Sequence, residues 1–344
     1  DDLKQRDAQR QARFWSYIAL GTTFIAALTI GLAIYAFNAK KESEMRRQQA
    51  EGLIGFMLGD LRKKLEPIGK LEILDAVGDQ AMSYFATLGD RGTPKELLAR
   101  AVALKQIGDV RFNQGKLEPA LKSFEQSLLQ AEALYKTDPG NNDYLFELGQ
   151  AEFWVGYVAW QRGQLDQAAT SMQRYMQYSK QLSKRAPDNI DYQMELGYSH
   201  SNLGSIAYAQ GKHEDALREF RTAVQIQSQV LQKKPSDTAI ASNLADSASW
   251  IGTILQELGR LSESQSAFME AINIIKPYHL SGKDTEASRL YAIIVLYQSE
   301  VAIRRGDVSS AKKLIDEAKG IFRELSLHDP SNSTWKNSLL SSDT

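Results

Sequence analysis

Histidine and cysteine, the side chains that most often carry metal or proton-transfer chemistry, are scarce in this sequence. It has four histidines, His200, His213, His279 and His328, and no cysteine. Thiol nucleophiles and thiolate metal ligands are therefore excluded, and no histidine pair has the HExxH spacing of a helical zinc site. The sequence predicts no catalytic residues, no metal ligands and no cofactor, in a chain that is not itself an enzyme.

Gly-Lys pairs at positions 69, 115 and 211 could be taken for fragments of a phosphate-binding loop. Such a loop needs a second glycine five residues earlier and a serine or threonine after the lysine, and none of the pairs has either. We interpret them as turns between helices. The 41 basic and 42 acidic residues give a formal net charge of −1, which favours no nucleic-acid partner.

A long uncharged segment near the N-terminus has the length of a membrane span. Residues 14–37 are 24 consecutive positions without a charge, enough for a helix of about 36 Å. Aromatic residues stand at both ends, where they favour the headgroup region. We predict a polar flank over residues 1–13 and a single transmembrane helix over residues 14–37. A cleaved signal peptide and a buried globular helix are the alternatives, and the polar, lysine-rich sequence that follows favours neither.

The span and the segment after it could also take part in helix association. Small residues recur every four positions within the span, which leaves a homodimer or higher oligomer open. Residues 38–92 are predicted to form a helical stalk and a hairpin that turns at Pro67 and Gly69. A 4-3-4-3 apolar seam on its first helix consists of Ile54, Leu58, Leu61, Leu65 and Ile68 and should pack on an apolar stripe over residues 71–88.

An internal repeat occupies the rest of the chain. One glycine column, Gly108, Gly156, Gly204 and Gly252, has a period of 48 residues. A second glycine column recurs at spacings of 48, 48, 48 and 47 through Gly115, Gly163, Gly211, Gly259 and Gly306. Prolines mark most boundaries between copies. We predict five repeats over residues 93–330 and a capping helix stub with a tail over residues 331–344.

The columns of the repeat read as a helical hairpin. The second glycine is predicted to end the first helix in the left-handed conformation. Alanine follows five residues later in four copies, where two helices must approach closely, and a large apolar residue stands four positions after that. These features predict two helices of about 20 residues per copy. The fold class is all-α: one transmembrane helix followed by an α-solenoid of five elongated hairpins of about 48 residues.

At these columns the sequence resembles the tetratricopeptide repeat (TPR) family. The residues that carry the resemblance in the third copy are His200, Leu203, Gly204, Ala216, Phe220, Ala223 and Pro235. A standard repeat of this family has about 34 residues, so each copy here has about 14 more. The resemblance implies a stacked solenoid in which both helices of every hairpin are lengthened by about two turns.

The resemblance also implies a binding face, because the inner surface of such arrays is lined by the first helix of each hairpin. Transferring that frame gives a partner-binding set of Phe112, Phe153, Tyr157, Trp160, Tyr198, Asn202 and Tyr208. Aromatic anchors of this kind suit a protein or peptide ligand. The alternative is that bulky side chains pack the extra helical turns.

Residues 50–88 add a second resemblance, to the juxtamembrane region of bacterial multidomain signalling proteins. In those proteins an effector domain precedes the span. The resemblance implies a bacterial inner-membrane protein that crosses the bilayer once, with a cytoplasmic N-terminus and a periplasmic repeat array. Four basic residues flank the span on each side, so charge alone does not orient it. The predicted function is a sensor or scaffold that binds a peptide or protein. The alternative is a self-assembly module that clusters an N-terminal effector domain.

Overall fold

The computed structural model describes residues 2–57, 71–88 and 92–328. All regular secondary structure in these ranges is helical. Twelve α-helices follow one another along the chain, and we number them α1 (Asp2–Phe56), α2 (Leu71–Leu88), α3 (Pro94–Asn113), α4 (Leu117–Thr137), α5 (Asn142–Gln161), α6 (Leu165–Arg185), α7 (Ile190–Ala209), α8 (His213–Lys233), α9 (Thr238–Glu257), α10 (Leu261–Leu280), α11 (Thr285–Arg304) and α12 (Val308–His328).

The chain divides into two compact units, Asp1–Gln106 and Ile107–Thr344. The boundary falls within α3, so the first residues of that helix are described with the first unit and its last residues with the second. The predicted capping stub at residues 335–340 lies outside the described residues, as do the turn at Pro67 and Gly69 and most of the 4-3-4-3 seam.

The helix α1 of the first unit passes through the predicted membrane span without a break. Its segment Thr22–Phe56 is long and apolar enough to cross a membrane, with a mean hydropathy of 1.6 in its most apolar window and no residue of that window buried. Large apolar side chains cover its surface: Phe24 is 71% exposed and Tyr35 is 74% exposed. In water so continuous an apolar surface would be costly. By length and composition, this helix could cross a membrane.

The apolar stripe of α2 is partly buried within the first unit, where Leu74, Ala81 and Phe85 are inaccessible to solvent. A further part of the stripe faces the end of α1 across an apolar cavity lined by Ile54 and Val77. The start of α3 is held by a capping box, because the Thr93 amide donates to the Glu96 carboxylate at 2.7 Å. The same carboxylate accepts from Arg47 at 2.6 Å.

The second unit consists of stacked hairpins, and we call the first helix of each hairpin its A helix and the second its B helix. The A helices have 20 residues, and the B helices have 20 or 21. The prediction of two helices of about 20 residues per copy is confirmed. From α4 to α12, each helix packs on the next one along the chain, as in a solenoid.

The turn inside each hairpin is set by the second glycine column. Gly115 has a φ of 74°, and its four equivalents have φ between 72° and 80°. The Gly115 amide donates to the Phe112 carbonyl at 2.8 Å, and the Lys116 amide donates to the Arg111 carbonyl at 2.9 Å. This is the Schellman arrangement, which satisfies the last carbonyls of a helix and requires a left-handed residue.

The A helices of the later hairpins begin at side-chain caps that the sequence analysis did not single out. Asn141, Asn189, Asp237 and Asp284 cap α5, α7, α9 and α11 in that order, and their side-chain oxygens accept backbone amides two or three residues later. The boundary prolines stand two residues before three of these caps. Proline and cap together fix where each hairpin stops and the next begins.

The first glycine column provides the contact between the two helices of a hairpin. A Cβ atom added at Gly204 would lie 2.8 Å from the Phe220 ring, and one added at Gly252 would lie 2.8 Å from Phe268. Both phenylalanines are fully buried. Glycine is needed in this column because the phenylalanine ring occupies the space that a side chain there would fill. The sequence pattern therefore indicates a close approach of the A and B helices.

Candidate binding surface on the A helices

The seven residues of the predicted binding face lie on α3, α5 and α7, and each is partly exposed. The structure divides them into two groups that share Phe153, and Tyr208 belongs to neither. Phe112, Phe153, Tyr157 and Trp160 form one aromatic cluster, whereas Tyr198 and Asn202 line a cavity that also includes Phe153. Tyr208 lies apart from both groups and contacts Trp250 and His213.

The aromatic cluster is centred on Tyr157. Its ring centroid is 5.4 Å from that of Phe112, 5.6 Å from that of Phe153 and 5.7 Å from that of Trp160. Trp154, which the sequence analysis did not select, contacts Tyr157 at 6.0 Å. Separations of this size are those of favourable aromatic pairs, so these rings hold one another in place while keeping part of their surface exposed.

Two tryptophans on A helices also stack on the phenylalanine column of the preceding B helix. Trp154 lies parallel to Phe124 with centroids 4.9 Å apart, and Trp250 lies parallel to Phe220 with centroids 5.6 Å apart. In the fifth copy Tyr297 contacts Phe268 at 6.0 Å. The second and third copies interrupt the series, because Met172 stands in the phenylalanine column and Asn202 in the tryptophan column.

A cavity of about 440 Å³ lies on the A-helix side at this interruption. We call it the α5–α7–α9 cavity after the three A helices that line it, with further residues from the B helices α6 and α8. Its lining residues are Gln150, Phe153, Tyr175, Glu195, Tyr198, Ser201, Asn202, Ser205, Phe220, Gln227, Asn243, Asp246, Ser247 and Trp250. Its size and its mixture of rings and polar groups are those of a ligand pocket.

The polar groups of this cavity are connected by hydrogen bonds. Glu195 accepts from the Tyr175 hydroxyl and from the Gln150 amide, the latter at 2.7 Å. The Asn243 amide donates to the Tyr198 hydroxyl at 3.3 Å. Burial together with the Glu195 charge holds the pKa of Tyr175 well above 10, so this hydroxyl remains protonated and continues to donate.

Asp246 has an unusual position on α9. The residue is exposed, but the neighbouring protein displaces part of the water around its carboxyl group, and this loss of hydration raises the pKa of that group from 3.8 to about 6. The positive charge of Arg289 opposes the shift. Among the described residues none donates a hydrogen bond to the Asp246 side chain.

Asp246 also lines a second cavity, of about 330 Å³, between α9 and α11. This α9–α11 cavity includes Tyr208, which links it to the predicted face, and the Gln256 amide donates to Glu300 at 3.3 Å on its wall. Basic and acidic groups are mixed here, since Arg289 and Arg304 line it as well.

The histidines lie outside both cavities. His200 Nδ1 is 2.6 Å from a Glu219 carboxylate oxygen, and His279 Nδ1 is 3.0 Å from the Ser288 hydroxyl. Over the ranges 2–57, 71–88 and 92–328, no group of three or more His, Asp or Glu side chains is arranged to hold a metal ion. The chemistry that the described surface offers is recognition through aromatic rings and carboxylates.

Sequence reasoning missed Trp154, Trp250 and Asp246, although the repeat contains the signal. Trp154 and Trp250 occupy the same column as Asn202, and Asp246 occupies the column of Tyr198. The predicted face was confined to the first three copies. Each cavity lies between adjacent A helices, so the fourth copy necessarily contributes a wall.

Comparison with known protein families identifies the repeats. Residues 198–237 and residues 245–277 each match a tetratricopeptide repeat model. These two segments are therefore tetratricopeptide repeats. This solenoid presents an extended binding surface, which places it in the class of protein-interaction modules. Among curated proteins, none matches the sequence significantly.

Solved structures share the architecture. The crystal structure of BtubC (BKLC) from P. vanneervenii superposes with a TM-score of 0.55 at 18% identity, covering 74% of this chain and 92% of that chain. The apo form of RapI superposes with a TM-score of 0.51 at 11% identity, covering 84% of this chain and 97% of that chain. At these identities the likeness establishes the fold.

Proposed function

We propose that this chain is a membrane-anchored TPR module that acts as the sensor or scaffold of a bacterial signalling protein. It binds a peptide or protein on the surface formed by its A helices. The observation that carries this proposal is the α5–α7–α9 cavity, where Phe153, Tyr198 and Trp250 are accessible beside the Asp246 carboxylate, which accepts no hydrogen bond from a described residue. A purely structural spacer would gain nothing from such an opening.

Site-specific photo-cross-linking of the full chain in cells tests where the partner binds. A benzophenone amino acid is placed at Ser205, which lines the cavity and shares its column with Tyr157, so the position accepts a ring. The matched control carries it at Met269, which is 49% exposed on the B helix α10. We expect an adduct from Ser205 and none from Met269. Equal yields, or no adduct from Ser205, contradict the proposal.

The mass of the adduct separates the proposal from its alternative. A heterologous partner adds its own mass, whereas self-assembly produces a species of twice the mass of the chain. A doubled mass that arises from Ser205 alone would favour a module that clusters effector domains at the membrane. It would replace the sensor function proposed here.

Anchoring by α1 is the second part of the proposal, and the exposed apolar surface of this helix supports it. Exchanging Leu28 and Leu32 for lysine, in the middle of the apolar segment, should release the full chain from carbonate-washed membranes, because each charge is costly at the bilayer centre. Met45→Lys, on the exposed surface beyond the predicted span, is the control and should remain in the membrane fraction. Release of the unsubstituted chain contradicts anchoring.

We propose a cytoplasmic N-terminus and a periplasmic repeat array. Reporter fusions after Leu88 test this orientation, since alkaline phosphatase is active only outside the cytoplasm and common fluorescent proteins mature only inside it. We expect phosphatase activity. A fluorescent fusion without phosphatase activity reverses the orientation.

A further inference from the structure

The α5–α7–α9 cavity opens where one stacking pair is missing. Trp154 and Trp250 stand in one column of the repeat, and in this column the third copy has Asn202. In the phenylalanine column on which these tryptophans stack, the second copy has Met172 instead of an aromatic ring. A tryptophan at position 202 would extend into this space, as the equivalent rings do in the adjacent copies. The cavity is therefore a local departure from the repeat.

Several hydrogen-bond donors of the cavity are already engaged with protein acceptors. The Gln150 amide donates to Glu195 at 2.7 Å, the Asn243 amide donates to Tyr198, and the Asn202 amide donates to the Tyr198 carbonyl at 2.8 Å. The described residues that line the cavity include no lysine, arginine or histidine. The protein thus offers a ligand few donors.

Acceptors remain available. Asp246 receives no hydrogen bond from a described residue, and Glu195, which already accepts from Tyr175 and Gln150, adds a second negative charge to the lining. Gln227 is 1% exposed, and its Oε1 atom has no hydrogen-bond partner. A buried carbonyl oxygen without a partner is costly, and this one belongs to the lining of the cavity.

Packing of the repeat does not explain these acceptors. Positions equivalent to Gln227 are Ala131, Ser179, Ile275 and Phe322 in the other B helices. Positions equivalent to Asp246 are Gln150 and Tyr198. The other copies fold with small or apolar side chains in the column of Gln227 and with neutral side chains in the column of Asp246. Folding of the array therefore does not require acceptors at these two positions.

We propose that the α5–α7–α9 cavity binds a lysine or arginine side chain of the peptide or protein ligand. This inference rests on the proposed function and names the chemistry that the ligand must bring. A cationic side chain brings several donors and no acceptor, which complements two carboxylates and a free carbonyl oxygen. Phe153, Tyr198 and Trp250 supply ring faces that attract a cation.

The test is selection from a random hexapeptide library by the full chain in lipid nanodiscs. We expect the bound peptides to be enriched in lysine or arginine at one position. Asp246→Asn should weaken the selected peptides about tenfold, as loss of a charge-assisted hydrogen bond does. This variant breaks no hydrogen bond from a described residue, so the array should keep its fold, which circular dichroism verifies. Glu270→Gln, the same charge change on the exposed surface of α10, is the control and should leave the affinity unchanged.

The outcomes separate this inference from the function on which it rests. If the binding of the selected peptides depends on Tyr198 but the peptides have no excess of lysine or arginine, the cation site is overturned. Binding of a peptide on the A-helix surface would then still stand. An equal loss in Asp246→Asn and Glu270→Gln also overturns the cation site, because it reports only net charge. A library from which nothing is retained overturns both.

Discussion

The guanidinium of Arg100 on α3 lies 2.7 Å from the carboxylate of Glu51 on α1, and the two side chains are 1% and 5% exposed. These residues are 49 positions apart. A pair so deeply buried is costly to form, and it becomes far more costly when one charge loses its partner. Within the first unit, this contact fixes the end of α1 against the first turns of α3.

Removing the carboxylate of this pair should therefore loosen the start of α3. We expect Glu51→Leu to destabilise the first unit by about 3 to 5 kcal/mol, because it leaves a buried guanidinium without a counter-charge. Hydrogen exchange of the amides at positions 97–106 measures the loss of protection. Glu44→Leu removes an exposed pair with Lys40 at 4.0 Å and should cost less than about 1 kcal/mol. Equal exchange rates of these amides in the two variants would contradict a stabilising role of the buried pair.

The packing column and the predicted face should respond differently to truncation. Phe124 and Phe220 are fully buried, and each replacement by alanine should cost about 3 to 5 kcal/mol. Tyr157 and Tyr208 are partly exposed, so Tyr157→Ala and Tyr208→Ala should cost clearly less. Urea unfolding of the full chain measures all four. Equal, large losses would assign the tyrosines to the core and remove them from the binding face.

Glycine positions provide a matched pair of variants. Gly204→Ala places a Cβ 2.8 Å from the Phe220 ring and should destabilise by about 1 to 3 kcal/mol, as overpacking does. Gly320→Ala, on α12, meets no atom within 4 Å and should stabilise by about 0.5 to 1 kcal/mol through helix propensity. Melting temperatures that move in the same direction would contradict the close approach at Gly204.

Filling the interruption in the stacking series should block the cavity without unfolding the array. Asn202→Trp restores the ring that Trp154 and Trp250 supply in the neighbouring copies, so we expect the melting temperature to be kept and the cross-link from Ser205 to be lost. Asn202→Ala leaves the cavity open and should retain the cross-link. A full adduct yield in Asn202→Trp would place the ligand elsewhere.

The pKa of Asp246 predicts the sign of a pH effect on stability. The folded carboxyl has a pKa of about 6 against 3.8 in its unperturbed state, so the folded chain binds a proton more tightly between these values. The contribution of Asp246 to stability is therefore lost as the pH rises from 4 to 6. Asp246→Asn should raise the melting temperature at pH 7.5 and have little effect at pH 4. Thermal unfolding of the unsubstituted chain and of Asp246→Asn, measured between pH 4 and 7.5, tests this prediction. A difference in melting temperature that does not change with pH would contradict the raised pKa of Asp246.

The hairpins were predictable from the sequence because their determinants are local and repeated. Gly115 and its equivalents specify a left-handed turn wherever they stand, and Phe124 or Phe220 specifies a close approach to the glycine one helix earlier. Neither requires knowledge of distant contacts. The agreement of helix lengths with the 48-residue period follows from this.

Contacts within the first unit were not predictable in the same way. Nothing in the sequence pairs Glu51 with Arg100 or Arg47 with Glu96, because no column relates them and many charges could have served. The candidate site was predictable only in part. Its aromatic residues are found from the TPR frame, but Asp246 and Gln227 acquire meaning only when the cavity between copies is seen.

The constant spacing of the turn glycines has a consequence for how the chain can change its length. Because each 48-residue segment contains its own cap, turn and stacking surfaces, removal of one whole segment brings together ends that already match those they replace. A deletion within a helix would misplace the left-handed glycine relative to that helix. The array can therefore be shortened or extended only in whole copies, and each such step would add or remove one wall of the surface.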